Sequence, residues 1–581
     1  MEMKLHLKNK KRLSLLSLCL VASFLSGCSY GDSPVWPKKS ANVQTLSGVT
    51  FSNAPTITES NLSSFIAKPG TSPNWNNDAS DYSVITSPYY TVTSSGGTVN
   101  YPVYAANATY GLQSFCYINA SNFTETSLKI TYSTTISSYE IMHHASTNPS
   151  CTIQGNNLLA VISEVGQYTF VFNSYKSEAL TIFIQSSRSY SEFLKDYEGC
   201  TVTTLSPGTY NDIISITSPN TVYHLTSGVY YIRRFDLLAD NIGIYMDDGV
   251  YINAIMPTKD DESDFLVETT HAGKTLWKEM FNGWAGNNDA VEVIRYRGLT
   301  IEGNAIIDLS LLDFHARRPM QLNGTLDVRL SNFTITNAPE WSMFLHNCQN
   351  VEIDNVKIYG YRQNSDGICI DTCNDVVVSN CYARSGDDLF EVKSILYNAY
   401  GSTYHSENVT FTGCTAWPEK ARAFGIIAEV VNDVTDIYFQ NCIVIGTKND
   451  IEISGSLIVD IGTTIQSPAT VKNVHFENIR IYDGVSYPYT IAMPYEQMTG
   501  GGIPIDYIIK DIYFKNIEIY YSSPTSYNSK LRVYNYDNGN TIQDLYFDNI
   551  YVNQAKVTAE NFSYTSEGYF DTSYIHVNTL S

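Results

Sequence analysis

The chain has 581 residues, a formal net charge of −22 and 16% charged residues, a length sufficient for two or three domains. The negative charge argues against a nucleic-acid backbone or an anionic membrane surface as a partner. Tyr is abundant at 44 residues, and frequent Ser, Thr, Asn and Val favour strands over helices.

Residues 1–28 read as an export signal. The chain opens with the basic stretch MEMKLHLKNKKR and continues with the apolar LSLLSLCLVASFL, which is too short to span a bilayer. LSGC then resembles a bacterial lipoprotein signal cleaved before Cys28, which would be lipidated; an ordinary secretory signal is the alternative. Ser29 is not Asp, so the inner-membrane retention signal of many bacteria is missing. We therefore expect a bacterial lipoprotein of the outer membrane, cell surface or periplasm, held to the membrane only by its lipid.

Two segments follow before the main domain. Residues 29–85 are rich in Ser, Thr, Asn and Pro, which predicts a flexible tether. Residues 86–190 contain short alternating runs separated by turn residues, among them YYTVTS, SLKITYST and YTFVFNS, which predict a β-sandwich. Cys116 and Cys151 fall in this segment and could form a disulfide in an oxidising periplasm.

A repeat dominates residues 191–581. The pattern aliphatic–x–aliphatic–x–Asn recurs in LDVRLSNFTI, NVEIDNVKI, DVVVSNCYA, NVTFTGCTA, DIYFQNCIV, NVHFENIRI, DIYFKNIEI and DLYFDNIYV. The shared Asn or Gly stands at 332, 355, 380, 413, 441, 478, 516 and 549. A strand-rich repeat of this length indicates a solenoid, here a right-handed parallel β-helix with left-handed turns at the Asn corners. The predicted fold is all-β, with the sandwich preceding the β-helix.

The late cysteines follow the same period. Cys381, Cys414 and Cys442 each come directly after a corner residue, and Cys348 and Cys373 occupy matching places 25 residues apart. Stacked coils would bring such residues into an inward ladder. The pattern predicts buried free thiols rather than metal ligands.

Two stacked turns bring three carboxylates together. NSDGICI contains Asp366, and SGDDLFE contains Asp387 and Asp388, about one short coil later. Aligning the two stretches places Asp366 below Asp387, and Asp388 level with Gly367, with about 5 Å between coils. Crowded carboxylates push their pKa values apart, so one can stay protonated beside ionised neighbours, as glycoside hydrolysis requires. A Ca²⁺ site or unrelated turn acids are the alternatives.

The two stretches resemble the polygalacturonases of glycoside hydrolase family 28, where Asn-x-Asp is followed one coil later by Gly-Asp-Asp. The sandwich before the β-helix is similar in layout to the dextranases of family 49 in the same clan. The resemblance implies a glycoside hydrolase that inverts anomeric configuration and needs no metal or organic cofactor. It implies Asp387 as general acid, with Asp366 and Asp388 holding the attacking water.

The chain departs from the family 28 pattern in two places. ARAFGII places Phe424 where that family has the His of Gly-His-Gly, and NDIEISG places Glu452 and Ser454 where it has Arg-x-Lys. An acid in place of a cation would repel a uronate. We therefore expect endo-cleavage of a neutral α-linked polysaccharide, dextran-like first, with a pectin-type hydrolase as the alternative.

Further candidates surround the acids. We expect Asn364, Lys393, Trp341, Trp417 and Arg422 to bind substrate, the Trp rings by stacking on sugar faces. Core packing is the alternative for each Trp, and a solvated strand edge is the alternative for Lys393.

Two other function classes stay open. A non-catalytic glycan-binding surface β-helix or adhesin would have no need for three crowded acids. A polysaccharide lyase would need a basic residue, and usually Ca²⁺, to neutralise a uronate. We expect a monomer whose partner is a polysaccharide and not a nucleic acid.

Overall fold

A computed structural model of the protein describes residues 84–108, 111–119, 125–255, 296–312, 318–395, 405–446, 456–461, 469–483, 487–493, 507–521, 530–535 and 539–579, with the backbone of 267–268. The predicted signal, Cys28 and nearly all of the predicted tether lie outside the described residues, as do Glu452 and Ser454. Among the described residues, no helix is long and apolar enough to cross a membrane.

The N-terminal domain is the predicted β-sandwich. Its strands are β1 (Ile85–Thr86), β2 (Tyr90–Ser94), β3 (Asn100–Tyr101), β4 (Val103–Ala108), β5 (Gly111–Asn119), β6 (Thr126–Tyr132), β7 (Tyr139–His143), β8 (Ser150–Gln154), β9 (Asn157–Ile162), β10 (Gly166–Phe172) and β11 (Leu180–Gln185). One sheet has the order β1-β4-β5-β11-β10-β7 and the other β3-β2-β6-β9-β8. Apolar side chains such as Ile130, Leu158, Phe170 and Ile182 fill the space between them.

The disulfide predicted between Cys116 and Cys151 is wrong, because both thiols are free. Cys116 lies on β5 of one sheet and is fully buried. Cys151 lies on β8, the edge strand of the other sheet. The two residues share a domain but belong to different sheets, a separation that the sequence pattern does not show.

A short helix links the sandwich to the β-helix. It is α1 (Tyr190–Phe193), where Ser189 accepts from the Glu192 backbone N–H and the Glu192 carboxylate accepts from the Ser189 N–H, a capping box. The chain continues as a 3-10 turn over Leu194–Tyr197. Phe193 and Tyr197 pack with Val222 and Tyr245 against the outside of the first coils.

The β-helix builds each early coil from three strands. They are β12 (Thr201–Leu205), β13 (Gly208–Tyr210) and β14 (Ile214–Ile216); β15 (Thr221–Leu225), β16 (Gly228–Ile232) and β17 (Phe235–Leu237); β18 (Ile242–Met246), β19 (Val250–Ala254) and β20 (Val267–Glu268); β21 (Arg297–Glu302), β22 (Ile306–Asp308) and β23 (Met320–Asn323); and β24 (Leu326–Ser331), β25 (Thr334–Thr336) and β26 (Met343–His346). Strands in equivalent places pair in parallel from coil to coil. This is the predicted β-helix.

The later coils continue the same plan. Their strands are β27 (Gln349–Asp354), β28 (Lys357–Tyr359) and β29 (Ile368–Asp371); β30 (Asn374–Ser379), β31 (Tyr382–Ser385) and β32 (Phe390–Ser394); β33 (Ser406–Thr412), β34 (Thr415–Pro418) and β35 (Phe424–Val430); and β36 (Val434–Gln440), β37 (Ile443–Ile445) and β38 (Leu457–Asp460). In the last coils the first two strands merge, giving β39 (Thr470–Tyr482) with β40 (Tyr489–Met493), β41 (Ile508–Tyr520) with β42 (Lys530–Asn535), and β43 (Thr541–Val552) followed by β44 (Ala555–Lys556), β45 (Ser563–Gly568) and β46 (Ile575–Val577).

The repeat holds the coils in register. In five successive coils, the inward position two residues before the corner is a Phe, and these rings stack with centroids 4.8 to 5.0 Å apart. They are Phe411, Phe439, Phe476, Phe514 and Phe547. These rings belong to one continuous apolar core that runs along the solenoid. A one-residue slip would turn every such side chain outward, so the core fixes the register.

The corner positions adopt the predicted left-handed backbone. Every corner from Asn332 to Asn549 has a φ between 52° and 72°. Side-chain amides bond between coils: Asn516 donates to Asn478 over 2.8 Å, and Asn478 donates to Asn441 over 3.2 Å. Gly413 interrupts this ladder, because a Cβ there would lie 2.8 Å from the Asn380 side-chain oxygen.

A second left-handed position recurs five residues before each corner. It is occupied by Asp or Asn at 327, 350, 375, 408, 436, 473, 511 and 544, all with φ between 54° and 58°. Asn408 donates to Asp375 over 2.7 Å, one coil below. The signal was present in the sequence as the Asp or Asn that opens these repeat units, since both residues tolerate this conformation.

The cysteine ladder is also confirmed. Cys381, Cys414 and Cys442 lie in the core and are at most 1% exposed, as free thiols. Cys348 and Cys373 stack likewise, with the Cys348 backbone N–H donating to the Cys373 sulfur over 3.2 Å. Burial raises the pKa of Cys381, Cys414 and Cys373 well above the ordinary value, which keeps these thiols protonated and unreactive.

The sandwich packs tightly on one side of the β-helix. Phe115 stacks on Tyr359 with centroids 4.8 Å apart, and Phe183 meets Tyr382 edge-on at 5.5 Å. Between them Lys357 donates over 2.5 Å to Gln185. Burial lowers the pKa of Lys357 to about 7. This interface anchors the strands that precede the acidic turns.

Candidate functional site

The three predicted acids lie on two stacked turns. Asp366 ends the turn between β28 and β29, and Asp387 and Asp388 lie one coil later between β31 and β32. Gly367 lets the turns touch, because a Cβ there would lie 2.2 Å from the Leu389 carbonyl oxygen. The structure therefore brings the three carboxylates together, as the spacing predicted.

The predicted alignment of the acids is wrong by one residue. Ile368 pairs with Phe390, a spacing of 22, so Asp366 lies level with Asp388 and not with Asp387. The Gly367 N–H donates to the Asp388 carbonyl over 2.7 Å, in agreement with this register. Matching the two turns letter by letter predicts a spacing of 21 residues. The inward packing of Phe390 over Ile368 sets the real register.

Asp387 is the partly exposed acid of the three. Its carboxylate accepts from the Asn364 backbone N–H over 2.9 Å and from the Asp388 N–H over 3.1 Å. Asn364 itself has a left-handed backbone with φ 55°. Burial, and then the charge of Asp388, raise the pKa of Asp387 to about 6, although both N–H groups oppose the rise. Asn364 thus acts on the site through its backbone.

Asp388 is held as an ion pair. It accepts from the Arg422 backbone N–H and from its guanidinium, both over 2.9 Å. The same guanidinium lies 3.0 Å from the fully buried Asp460, one coil further on. Burial lowers the pKa of Arg422, but Asp388 and Asp460 more than offset this and raise it overall. The arginine is therefore ion-paired on both sides and holds the Asp388 side chain in place.

Asp366 and Glu391 are the buried acids of the cluster. Burial, followed by the charges of Asp387, Glu391 and Asp388, raises the pKa of Asp366 well above its usual range. Glu391 is fully buried, and burial raises its pKa to about 7 even though Lys393 opposes the rise. These two carboxyls therefore favour the protonated form more strongly than solvated acids do.

Lys393 lies within this cluster as predicted, but it is buried rather than solvated. Its Nζ lies 3.1 Å from Glu391 and 2.5 Å from Glu429.

Three carboxyls of the cluster are close enough to hold a metal ion. One oxygen from each of Asp366, Asp388 and Glu391 lies within 4.8 Å of the others. Lys393 and Arg422 already place cations against Glu391 and Asp388, so the donor set is better suited to proton chemistry than to a divalent ion.

Trp341 lies beside the cluster with little free surface. Lys393 Nζ is 4.8 Å from its ring centroid, and the Arg318 guanidinium is 4.1 Å from it. The ring is 9% exposed and also meets Phe344. It therefore touches the site through cations rather than through an open sugar-binding face.

Trp417 lies outside the acidic cluster, contrary to the prediction of sugar stacking. Its ring is 3% exposed and packs with Met142 and Val171 of the sandwich. The Arg384 guanidinium covers it at 3.8 Å. Two domains meet at this ring, which the sequence of the β-helix alone does not reveal.

Phe424, which stands where the family 28 pattern has a His, lies in the core of the β-helix. It points into the core and stacks on Phe390 with centroids 5.1 Å apart. Since Phe390 pairs with Phe424, the residue level with Asp388 is Arg422. The residue that stands against the acids on the next coil is therefore an arginine.

Sequence reasoning missed Asp460, Glu429 and the site role of Glu391. Glu391 alternates with Lys393 on the outward face of β32, and that alternation was a usable signal. Asp460 lies 72 residues beyond Asp388, and only the coil register brings the two within reach of Arg422.

Comparison with known protein families assigns the chain to a family. The family model described as Glycosyl hydrolases family 28 matches residues 259–567, more than half of the chain. The chain belongs to glycosyl hydrolase family 28. The predicted relationship to the β-helix glycoside hydrolases is thereby confirmed.

Two curated relatives are named as polygalacturonases. An exopolygalacturonase of Zea mays is 27% identical over 206 residues, covering 34% of this chain and 46% of that protein. A probable polygalacturonase of Vitis vinifera is 23% identical over 202 residues, covering 32% of this chain and 40% of that protein. The match spans less than half the length of each of these relatives.

One solved structure resembles the whole architecture. Dex49A from Penicillium minioluteum superposes with a TM-score of 0.54 at 12% identity, covering 87% of this chain and 96% of that one. At this identity the likeness concerns the fold. It matches the predicted layout of a sandwich before a β-helix in a family 28 chain.

Proposed function

We propose that the protein is an inverting glycoside hydrolase acting on an α-linked polysaccharide. Asp387 donates a proton to the leaving oxygen, and Asp388, together with Asp366, holds the water that attacks from the opposite side. The observation that carries this proposal is the different surroundings of the two adjacent acids. Asp388 is ion-paired with Arg422, whereas Asp387 is partly exposed and has a pKa raised to about 6.

The contacts of each acid fit its proposed step. Asp387 is the partly exposed acid, so it can reach a glycosidic oxygen, and the two backbone N–H groups aim its carboxyl. They also stabilise the carboxylate left after proton transfer. Asp388 accepts a proton from water while Arg422 keeps its orientation. Asp366, level with Asp388, is placed to bond the same water, because the two side chains arise from stacked positions.

The cleaved sugar is proposed to be neutral. Among the described residues around the acids, the cations contact carboxylates: Lys393 with Glu391 and Glu429, Arg422 with Asp388 and Asp460. A uronate at the cleaved bond would compete with these acids for the same cations. A dextran-like neutral glycan cut internally therefore remains our first candidate. The family assignment and the polygalacturonase relatives favour galacturonan as the second.

A panel assay tests the reaction and the substrate together. The purified protein is incubated with dextran, other α-glucans and polygalacturonate, and products are followed by reducing ends and by NMR of the first anomer released. Asp387→Asn should lower kcat at least 100-fold because the proton donor is lost. Asp375→Asn, at an exposed position of β30, is the matched control and should retain activity. An Asp387→Asn variant as active as the parent would overturn the assignment, and binding without cleavage of any glycan would favour an adhesin.

Rate against pH tests the acid independently. The general acid must be protonated, so activity should fall as pH rises through about 6, the pKa of Asp387. Because neighbouring acids influence one another's protonation, this fall in rate reports an apparent pKa of the whole cluster and not of Asp387 alone. A rate that increases steadily from pH 5 to pH 8 would contradict this assignment.

We also propose that Cys28 anchors the protein to a membrane through a lipid. The support is the LSGC motif after a basic and an apolar stretch. Cys28→Ala should move the protein from the membrane fraction to the soluble fraction of cells. Unchanged membrane association would refute lipidation at this position.

A further inference from the structure

The outward column that holds Glu391 continues beyond the acidic cluster. Parallel pairing joins Glu391 to Gly425, Gly425 to Ile458, Ile458 to Thr490 and Thr490 to Arg532. Arg532 therefore lies on the same face of the same sheet, four strands further along the axis. At the usual spacing of about 4.8 Å per strand, this separation is about 19 Å.

Among the residues that the structure describes, Arg532 is buried on this face without a counter-charge. Its neighbours on β42, Leu531 and Val533, point into the core, so its side chain points outward, yet it is only 9% exposed. Nη1 has no hydrogen-bond partner and the guanidinium has no ion pair within the described part of the chain. The ring of Tyr487 holds the guanidinium plane at 3.8 Å.

Thr490 adds a second unsatisfied group at the same point. It pairs directly with Arg532, is fully buried, and its Oγ has no hydrogen-bond partner among the described residues. Buried donors without partners are costly, and a buried guanidinium without an acid is more so. Arg384 and Arg422 show the usual solution in this protein, since each is paired with buried carboxylates.

We propose that Arg532 and Thr490 form a distal subsite that binds an acidic group of the glycan, a carboxylate or a sulfate ester. An anion would satisfy the guanidinium and accept from the Thr490 hydroxyl, while Tyr487 keeps the guanidinium in place. The inference rests on the proposed function, in which a polysaccharide lies along this face. It refines the substrate of that function: the glycan would carry a neutral sugar at the cleaved bond and an acidic sugar several units away, a group that plain dextran lacks.

Binding measurements test the subsite without requiring catalysis. Calorimetric titrations use the Asp387→Asn protein with three probes: a galacturonate pentamer, its fully methyl-esterified form, and a sulfated galactan pentamer. We expect at least one anionic pentamer to bind at least 10-fold more tightly than the neutral ester. A carboxylate ligand predicts preference for the galacturonate probe, and a sulfate ligand predicts preference for the sulfated one.

Substitution of the two residues locates the effect. Arg532→Gln should reduce the anion-to-ester affinity ratio to near one, whereas Arg329→Gln, an exposed arginine on β24, should leave it unchanged. Thr490→Val is the second variant. It removes a hydroxyl that has no hydrogen-bond partner among the described residues, so the variant should fold normally and lower the affinity ratio about threefold.

The outcomes separate this inference from the hydrolase itself. Equal affinity for anionic and neutral probes, or an unchanged ratio in both Arg532→Gln and Thr490→Val, would overturn the subsite. Failure of the wild-type protein to cleave any glycan, with the ratio intact, would overturn the hydrolase and leave the anion site standing.

Discussion

Replacement of Glu391 by Gln tests the electrostatic description of the site most directly. Glu391 is fully buried beside Asp366 and Asp388, and burial raises its pKa from the ordinary 4.5 to about 7. Gln has nearly the same shape but does not ionise. Lys393 keeps Glu429 at 2.5 Å, so the substitution does not leave that lysine unpaired.

The expected magnitude follows from linkage between protonation and folding. A raised pKa in the folded state means that the native protein favours protonated Glu391. Protonated Glu391 therefore adds to the free energy of unfolding. This contribution is fully present below pH 4.5 and is lost as the pH rises through about 7. The difference of about 2.5 pKa units corresponds to about 3 kcal/mol at 1.36 kcal/mol per unit. The Gln variant has no such loss, so relative to wild type it should gain about 3 kcal/mol between pH 4 and pH 8.5.

Urea unfolding of both proteins at a series of pH values measures this difference. Any effect of the Gln amide that does not depend on pH cancels when the stability difference at pH 4 is subtracted from that at pH 8.5. Glu352→Gln is the matched control, because Glu352 forms a partly exposed ion pair with Arg329 and such pairs contribute under about 1 kcal/mol. A stability difference between wild type and Glu391→Gln that stays flat from pH 4 to pH 8.5 would refute the reasoning.

Three other outcomes are expected. Arg422→Met should destabilise the protein by about 3–5 kcal/mol at neutral pH, because Asp388 and Asp460 would be left buried and unpaired, and Arg422→Lys should recover part of the loss in the same urea titration. Asn478→Ala should cost about 1–3 kcal/mol, from a left-handed φ of 56° and two lost amide bonds, while Asn478→Gly should cost less; equal losses would argue against backbone strain. Dithiothreitol should leave Tm unchanged because the described thiols are free, and a lower Tm in the reductant would reveal a disulfide.

The repeat is the part of the fold that the sequence determined. Asn corners, alternating apolar residues and the cysteines after the corners all recur with the coil, because each coil must meet the same steric demands as the one beneath it. The structure confirms the left-handed corners from Asn332 to Asn549, the phenylalanine stack and the buried thiols. These features are local or repeated once per coil, so one chain displays them many times.

The site was determined only in outline by the sequence. Asp366, Asp387 and Asp388 are identifiable because they lie within two consecutive turns. Their alignment, 22 rather than 21 residues, depends on the inward packing of Phe390 over Ile368. The same packing takes Phe424 into the core and leaves Arg422 beside Asp388, which letter-by-letter matching of turns could not show.

Long-range contacts were decided only by the tertiary structure. The sequence predicts that Trp417 stacks on sugar, but the sandwich covers this ring. It predicts that Lys393 binds substrate, with a solvated strand edge as the alternative, but Lys393 is buried beside Glu429. The physical reason is that a β-helix brings together residues one coil apart, and the coil length here varies with each turn. The sequence determines which side chains face outward; the register of coils and the docked sandwich decide which of them meet, and with what charge.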